Sequence, residues 1–221
     1  MPELTLPILA VETSGENCSA CIYYDEKKHL EITLRQKNVH SEKLLQLIDN
    51  LMQMMDTDLK NIGTLAVSSG PGSFTGLRIG MSAIKGLAFG VSKPVIPVPT
   101  FEALALQISS VLKPETPFII SNKVNIEETY FARFVSGQNN YFITDDIRVI
   151  RNEELVHKIQ PGISVYGNSV PQIKLDFFHN ELSVPSSYWI AKWAYGFGKD
   201  LVTLDYDFLE PAYFKNFIVR Q

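Results

Sequence analysis

The sequence predicts an α/β protein of two lobes, a complete first lobe over residues 1–113 and a shortened second over 114–221. Three observations predict it. The first half reads strand, strand, strand, helix, strand, helix, strand. A break at Lys113-Pro114 is followed by a second run of three strands. A tight loop, Gly70-Pro71-Gly72, joins an apolar strand directly to a helix, the connection an alternating chain requires.

Taken in order, Leu6 to Val11 is an apolar strand that ends in the small polar turn Glu12-Thr13-Ser14-Gly15-Glu16-Asn17. Cys18 to Tyr24 is a second strand, turning at Asp25-Glu26-Lys27-Lys28, and Leu30 to Arg35 alternates apolar and polar like a half-buried third. Asn38-Val39-His40-Ser41-Glu42 opens a long helix, with Ser41 as its expected cap. Leu44, Leu45, Ile48, Leu51, Met52 and Met55 form one helical stripe, and Leu47 and Met54 a second. Two stripes fit either a thick core or a helix covered on two sides, one of them by a partner.

Leu65-Ala66-Val67 is a buried strand, and Ser73 or Thr75 caps the helix that follows, expected to end at Gly90. Gly76, Gly80, Ala83 and Gly90 share a face of it, with Gly86 beside them. Each interior glycine costs about 1 kcal/mol against alanine, so close approach of another backbone is expected in return. That backbone is either this chain's own or a partner's. Val95 to Val98 is a short strand, and Thr100 caps a helix through Leu112.

A three-strand meander followed by alternating helix and strand is the ribonuclease H-like plan, used twice in actin, the sugar kinases and the Hsp70 chaperones. A second copy begins with strands at Phe118–Ser121, Glu127–Val135 and Asn140–Val149, and a short helix opens at Asn152. The pattern then thins to a strand at Ile163–Tyr166, an irregular passage, a helix over Tyr188–Leu201 and an extended tail from Leu209 to Asn216.

A hydrophobic content of 45% with 20% charged residues marks a globular chain, and a net charge of -4 gives no general attraction for nucleic acid. The opening Met1-Pro2-Glu3-Leu4 lacks the features of a secretory leader, and no apolar run approaches bilayer length, so the cytoplasm is the expected location with no membrane partner. Cys18 and Cys21 lie three apart in a strand and point to opposite faces, which argues against a metal or redox pair. The glycine loop lacks the Gly-Lys-Ser/Thr of a phosphate-cradling loop, and Gly76 falls one residue late for a dinucleotide fingerprint.

These pieces together resemble the TsaB (YeaZ) family of bacterial proteins. The matching stretches are Ile8–Ser14, His40–Leu45, Gly70–Gly80, Lys85–Ala88, Val98–Leu104 and Glu210–Tyr213. The resemblance implies a non-catalytic accessory subunit in making the threonylcarbamoyladenosine modification of tRNA, beside the anticodon. It implies a heterodimer with the larger relative TsaD, which carries the transfer chemistry, and a further partner in the ATPase TsaE. A homodimer through the same helices is the alternative pairing, and tRNA would be met only through the complex. On this reading the chain alone binds no cofactor, and ATP and metal belong to the partner subunits.

The pairing surface is expected on the first-lobe helices, at Leu44, Leu47, Ile48, Leu51, Met54 and Met55, together with Gly72, Phe74, Gly76, Arg78, Gly80 and Ala83. Gly80→Leu is then expected to block docking and leave the monomer folded. The catalytic relative's His-His-x-x-x-His metal signature is replaced here by Pro99-Thr100-Phe101-Glu102-Ala103-Leu104, so no metal site is expected. Where members of the family often carry Asp-Ala-Arg after the second-lobe strand, this chain has Ser121-Asn122-Lys123-Val124.

Two enzymatic alternatives compete. A phosphotransferase of the actin or sugar-kinase type would use Glu12, Thr13, Ser14 and Gly15 as a phosphate loop, but it needs a second such loop that the second lobe does not show. A protease would need a base for Ser73, and none of His29, His40, His157 and His179 is spaced to supply one.

Overall fold

The computed structural model describes residues 2–36, 39–169, 178–212 and 214. The chain divides into two compact units. The first comprises residues 1–103 and 185–211, the second residues 104–184 and 212–221.

The first unit is a five-stranded sheet in the order β3-β2-β1-β4-β5. Its strands are β1 (Ile8–Glu12), β2 (Asn17–Tyr23), β3 (His29–Arg35), β4 (Thr64–Gly70) and β5 (Val95–Pro99). The meander β1 to β3 is antiparallel, while β4 and β5 run parallel to β1. Central β1 and β4 are buried at every position around the apolar cores Ile8–Val11 and Leu65–Val67, whereas edge strand β3 is half-exposed. Two helices, α1 (His40–Met54) and α2 (Phe74–Val91), cover one face. Leu44, Leu47, Ile48 and Leu51 of α1 and Met81, Ile84 and Ala88 of α2 pack there with Leu9, Val11, Ala20 and Ile22.

Strand alternation turns Ala10, Glu12, Ser19, Cys21 and Tyr23 to the other face. Across it, against β1 and β2, lies α5 (Ser187–Phe197). The sequence suggests a single cut near residue 113, but α5 and the segment to Pro211 fold back into the first unit. The start of α5 has no side-chain cap of its own. Its orphan donors are met from the sheet instead: Ser187 N–H donates to Ser19 Oγ at 3.2 Å, and Glu31 Oε1 accepts from Ser187 Oγ at 2.7 Å and Tyr188 N–H at 2.9 Å. From the sheet, Tyr23 packs against Tyr188 and Tyr195 of α5, and His29 against Tyr188. Glu31→Ala is expected to cost about 2 kcal/mol, the scale of hydrogen bonds to a charged acceptor. Urea denaturation would show it, and an unchanged midpoint would mean that apolar contacts alone hold α5.

The second unit repeats the strand order, reading β8-β7-β6-β9-β10 from its meander edge. Its strands are β6 (Pro117–Lys123), β7 (Glu128–Ser136), β8 (Tyr141–Arg151), β9 (Ser164–Tyr166) and β10 (Phe178–His179), with the seven-residue helix α4 (Asn152–Lys158) between β8 and β9. Its last two strands have three and two residues, so the expected shortening falls on the parallel half. The two-residue β10 has no counterpart in the sequence reading. Helix α3 (Thr100–Ser109) contains the division between the units and stops three residues before the expected Leu112.

Local expectations fail where capping is decided by geometry. Helix α1 is capped by the Val39 backbone and not by Ser41, which lies in its first turn. Ser73 does cap α2, its Oγ accepting from Gly76 N–H at 3.3 Å. Gly90 does not end α2; Ser92 does, in the left-handed conformation at φ 53°. The first strand starts at Ile8, leaving Leu6 exposed outside it. Asn38 of the expected α1 opening, the irregular passage over 170–177, and Tyr213, Lys215 and Asn216 of the tail lie outside the described residues. Among the described residues no helix is long and apolar enough to cross a membrane.

Candidate functional site

Two features of the first unit bear on function: the polar turn after β1, and the outer surface of α1 and α2. They are connected through the glycines of α2.

The turn after β1 is held by the start of α2. Thr13 Oγ1 donates to Gly76 O at 2.8 Å, and Ser73 N–H donates to Ser14 O at 2.7 Å. The glycines make this approach possible. A Cβ on Gly72 would stand 2.6 Å from Ser14 Cβ, one on Gly76 would overlap the Thr13 carbonyl oxygen, and one on Gly80 would overlap Thr13 Oγ1. The glycine face therefore packs within the chain over its N-terminal half. Gly80→Leu would strike Thr13 before it met any partner, which corrects the docking expectation for Gly76 and Gly80.

Glu12 ends β1 with its side chain fully buried. The register that pairs Val11 with Val67 sets Glu12 beside Ser68. One carboxyl oxygen accepts from Ser14 N–H. Among the described residues the other has no hydrogen-bond partner, and neither do the buried hydroxyls of Ser14 and Ser68. Burial pushes the Glu12 carboxyl up to about 7, against a smaller opposing effect of the nearby Ser14 and Ser68 dipoles, of which only the Ser14 amide makes a formed hydrogen bond. Gly15 is half-buried beyond it. Of the four residues of the expected phosphate loop, three are thus buried, and Thr13 and Ser14 hold α2 in place.

The corresponding strand end in the second unit carries Asn122. Its amide donates to Ser183 O at 2.6 Å and accepts from Asn168 N–H at 2.9 Å. The side chain is committed to holding its own loop. Thr100 is also structural, its Oγ1 accepting from Gly70 N–H at 3.0 Å. Among the described residues no three His, Cys, Asp or Glu side chains gather as a metal site. Cys18 and Cys21 are buried and free, and burial raises both thiols, Cys18 up to about 11 with the Glu12 charge adding to it. Neither is poised as a nucleophile.

On the outer surface, α1 and α2 leave a groove of about 510 Å³ between them. Its walls include Leu44 and Leu45 from α1 and Phe74, Arg78, Ile79 and Ala83 from α2. The Arg78 guanidinium lies 3.9 Å above the Phe74 ring. Of the twelve residues expected at a pairing surface, Leu44, Leu47, Ile48, Leu51, Gly76 and Gly80 are buried in the first unit's own packing. Gly72 and Met55 are half-buried, Gly72 against Ser14 and Met55 on the core. Phe74, Arg78 and Met54 are exposed, and Ala83 is half-buried in the groove wall. The burial of the apolar stripe has a simple cause: one helix face serves one sheet. Leu45 is the residue the pattern misplaces. It stands about 100° round the helix from Leu44, on the side away from Leu47 and Leu51, and is 52% exposed.

The chain is similar to known proteins. A family model described as TsaD, tRNA N6-adenosine threonylcarbamoyltransferase, matches residues 31–132. The chain is 30% identical over 159 residues to the tRNA threonylcarbamoyladenosine biosynthesis protein TsaB of Escherichia coli, covering 71% of this chain and 67% of that one. It is 37% identical over 131 residues to the Haemophilus influenzae protein of the same name, covering 59% of this chain and 54% of that one. The chain thus spans about half to two thirds of the length of these relatives. The solved structure of YeaZ from Pseudomonas aeruginosa shares the fold, with a TM-score of 0.76 at 21% identity over 95% of this chain and all of that one.

Proposed function

The chain belongs to the TsaB family of tRNA threonylcarbamoyladenosine biosynthesis proteins, and from that premise we propose that it serves this modification as a non-catalytic accessory subunit, by docking on a TsaD-type catalytic subunit. The observation that carries the docking is the apolar groove between α1 and α2. Leu45 of α1 and Phe74 of α2, 52% and 41% exposed, stand at it, and the glycine contacts to Thr13 and Ser14 seat α2 on the turn after β1. A concave apolar surface on a rigid frame suits helix docking. The partner would supply metal and nucleotide chemistry, a TsaE-type ATPase would join the pair, and tRNA would be met by the assembly in the cytoplasm. The engagement of Asn122 with Asn168 and Ser183 supports this reading over a phosphotransferase, which needs a free acidic or phosphate-binding group there.

Size-exclusion chromatography with light scattering, on the chain alone and with its cognate TsaD-type subunit, tests the proposal. A heterodimer is expected, and Leu45→Arg is expected to weaken it at least about 100-fold while leaving the melting temperature unchanged, since a charge in a desolvated apolar contact is costly. The chain alone also reports whether it self-associates through the same groove. No complex, together with tight magnesium–ATP binding by the chain alone, would overturn the accessory reading.

A further inference from the structure

The groove between α1 and α2 is too small to be a whole interface. Ten residues line it, His40 and Leu44 among them already buried, whereas a stable protein–protein contact engages about 20–30 residues a side. The rest of the contact must be continuous with the groove. Ser82 and Ala83 form its end on α2. One turn further along α2 comes Gly86, and then Phe89 and Gly90. Among the described residues nothing lies within 4 Å of where a Cβ on Gly86 or Gly90 would stand, so here the helix backbone is open to close approach, in contrast to Gly76 and Gly80.

Phe89 is 74% exposed. Beside it runs a strap, residues 203–209, pinned at three points. Thr203 and Val95 exchange backbone hydrogen bonds of 2.8 and 3.0 Å. Tyr206 Oη donates to Lys93 O at 2.8 Å, with its ring edge-on to Phe89 at 6.2 Å between centroids. Lys85 Nζ donates to Leu209 O at 3.2 Å, and Leu209 is buried in the core. Between the pinned Tyr206 and Leu209, Phe208 is held out at 85% exposure. A loop free to move would turn such a ring inward; a pinned strap keeps it presented. Phe89 and Phe208 are the two most exposed phenylalanines among the described residues. Large aromatics fixed on rigid backbone are the side chains that most often anchor interfaces.

We propose that Phe89 and Phe208 are a second anchor pair for the TsaD-type subunit, so that its apolar contact surface runs from the groove along α2 onto the 203–209 strap. This rests on the docking reading above and extends it to a segment far away in sequence. Isothermal titration of the catalytic subunit with Phe89→Ser and Phe208→Ser tests it, alongside Leu45→Arg and, as a control on the second unit, the 56%-exposed Phe142→Ser. Each of the first two is expected to bind at least tenfold more weakly, with an unchanged melting temperature, and Phe142→Ser to bind as the natural chain does. Should Phe89→Ser also lower the melting temperature, Phe208→Ser decides, because its ring touches solvent over most of its surface. Normal binding by both phenylalanine variants, with loss in Leu45→Arg, overturns the anchor pair and leaves groove docking intact. Normal binding by all the variants overturns docking on this face altogether.

Discussion

Gly76→Ala is expected to cost about 3 kcal/mol of folding stability, the upper part of the range for overpacking a tight contact. Gly86→Ala, ten residues further along the same helix, is expected to gain up to about 1 kcal/mol, the helix propensity difference. The opposite signs follow from what a methyl group would meet. At Gly76 it overlaps the Thr13 carbonyl oxygen, a backbone atom fixed at the end of β1, and Gly76 O itself accepts the Thr13 hydroxyl. At Gly86 it enters open space. Urea denaturation of the two variants at one pH measures both. Equal effects of the same sign would show that α2 is not seated on the Thr13–Ser14 turn as described.

The second large effect is a pH dependence that one side chain carries. The ordinary glutamate value is 4.5, and burial lifts Glu12 to about 7. Below 4.5 the folded and unfolded chains both hold this proton. Between 4.5 and about 7 the unfolded chain releases it while the folded chain keeps it, so the unfolded state binds fewer protons and stability falls as pH rises. Above about 7 the folded carboxyl is ionised too, and the loss levels off at about 3 kcal/mol. Glu12→Gln removes the titration and keeps the shape. The stability difference, natural chain minus Glu12→Gln, is therefore expected to drop by about 3 kcal/mol across that window and to be flat on either side. Chemical denaturation from pH 4 to 8.5 would read it. A difference that stays level throughout would mean that Glu12 is already ionised in the folded protein at pH 5.

These two effects come from one corner of the molecule, and they show where sequence reading succeeds. Alternation in β3, the short apolar run Leu65-Ala66-Val67 of β4 and the loop into α2 depend on residues within a few positions of one another, and each element was legible. The glycine spacing of α2 announced a close approach but was silent on what approaches. Gly76 and Gly80 meet Thr13, more than sixty residues earlier, while Gly86 and Gly90 meet nothing, and the spacing of the two pairs is the same. The apolar residues of α1 were legible as a stripe. Their division into core and surface was not, because Leu45 and Leu44 have the same hydrophobicity and differ only in the direction they face.

By itself the sequence determined the α/β class, the two copies of the meander-first plan and the family, since all of these reside in local pattern and residue identity. Tertiary structure alone decided the rest. It brought α5 back from beyond the second unit to cover the first sheet, buried Glu12 beside Ser68, committed Asn122 to its own loop, and left Leu45, Phe89 and Phe208 facing solvent. The reason is physical. Burial, desolvation and exposure are properties of which surfaces meet, and those meetings join residues as far apart as Ser19 and Ser187, a separation at which no periodicity in the chain carries information.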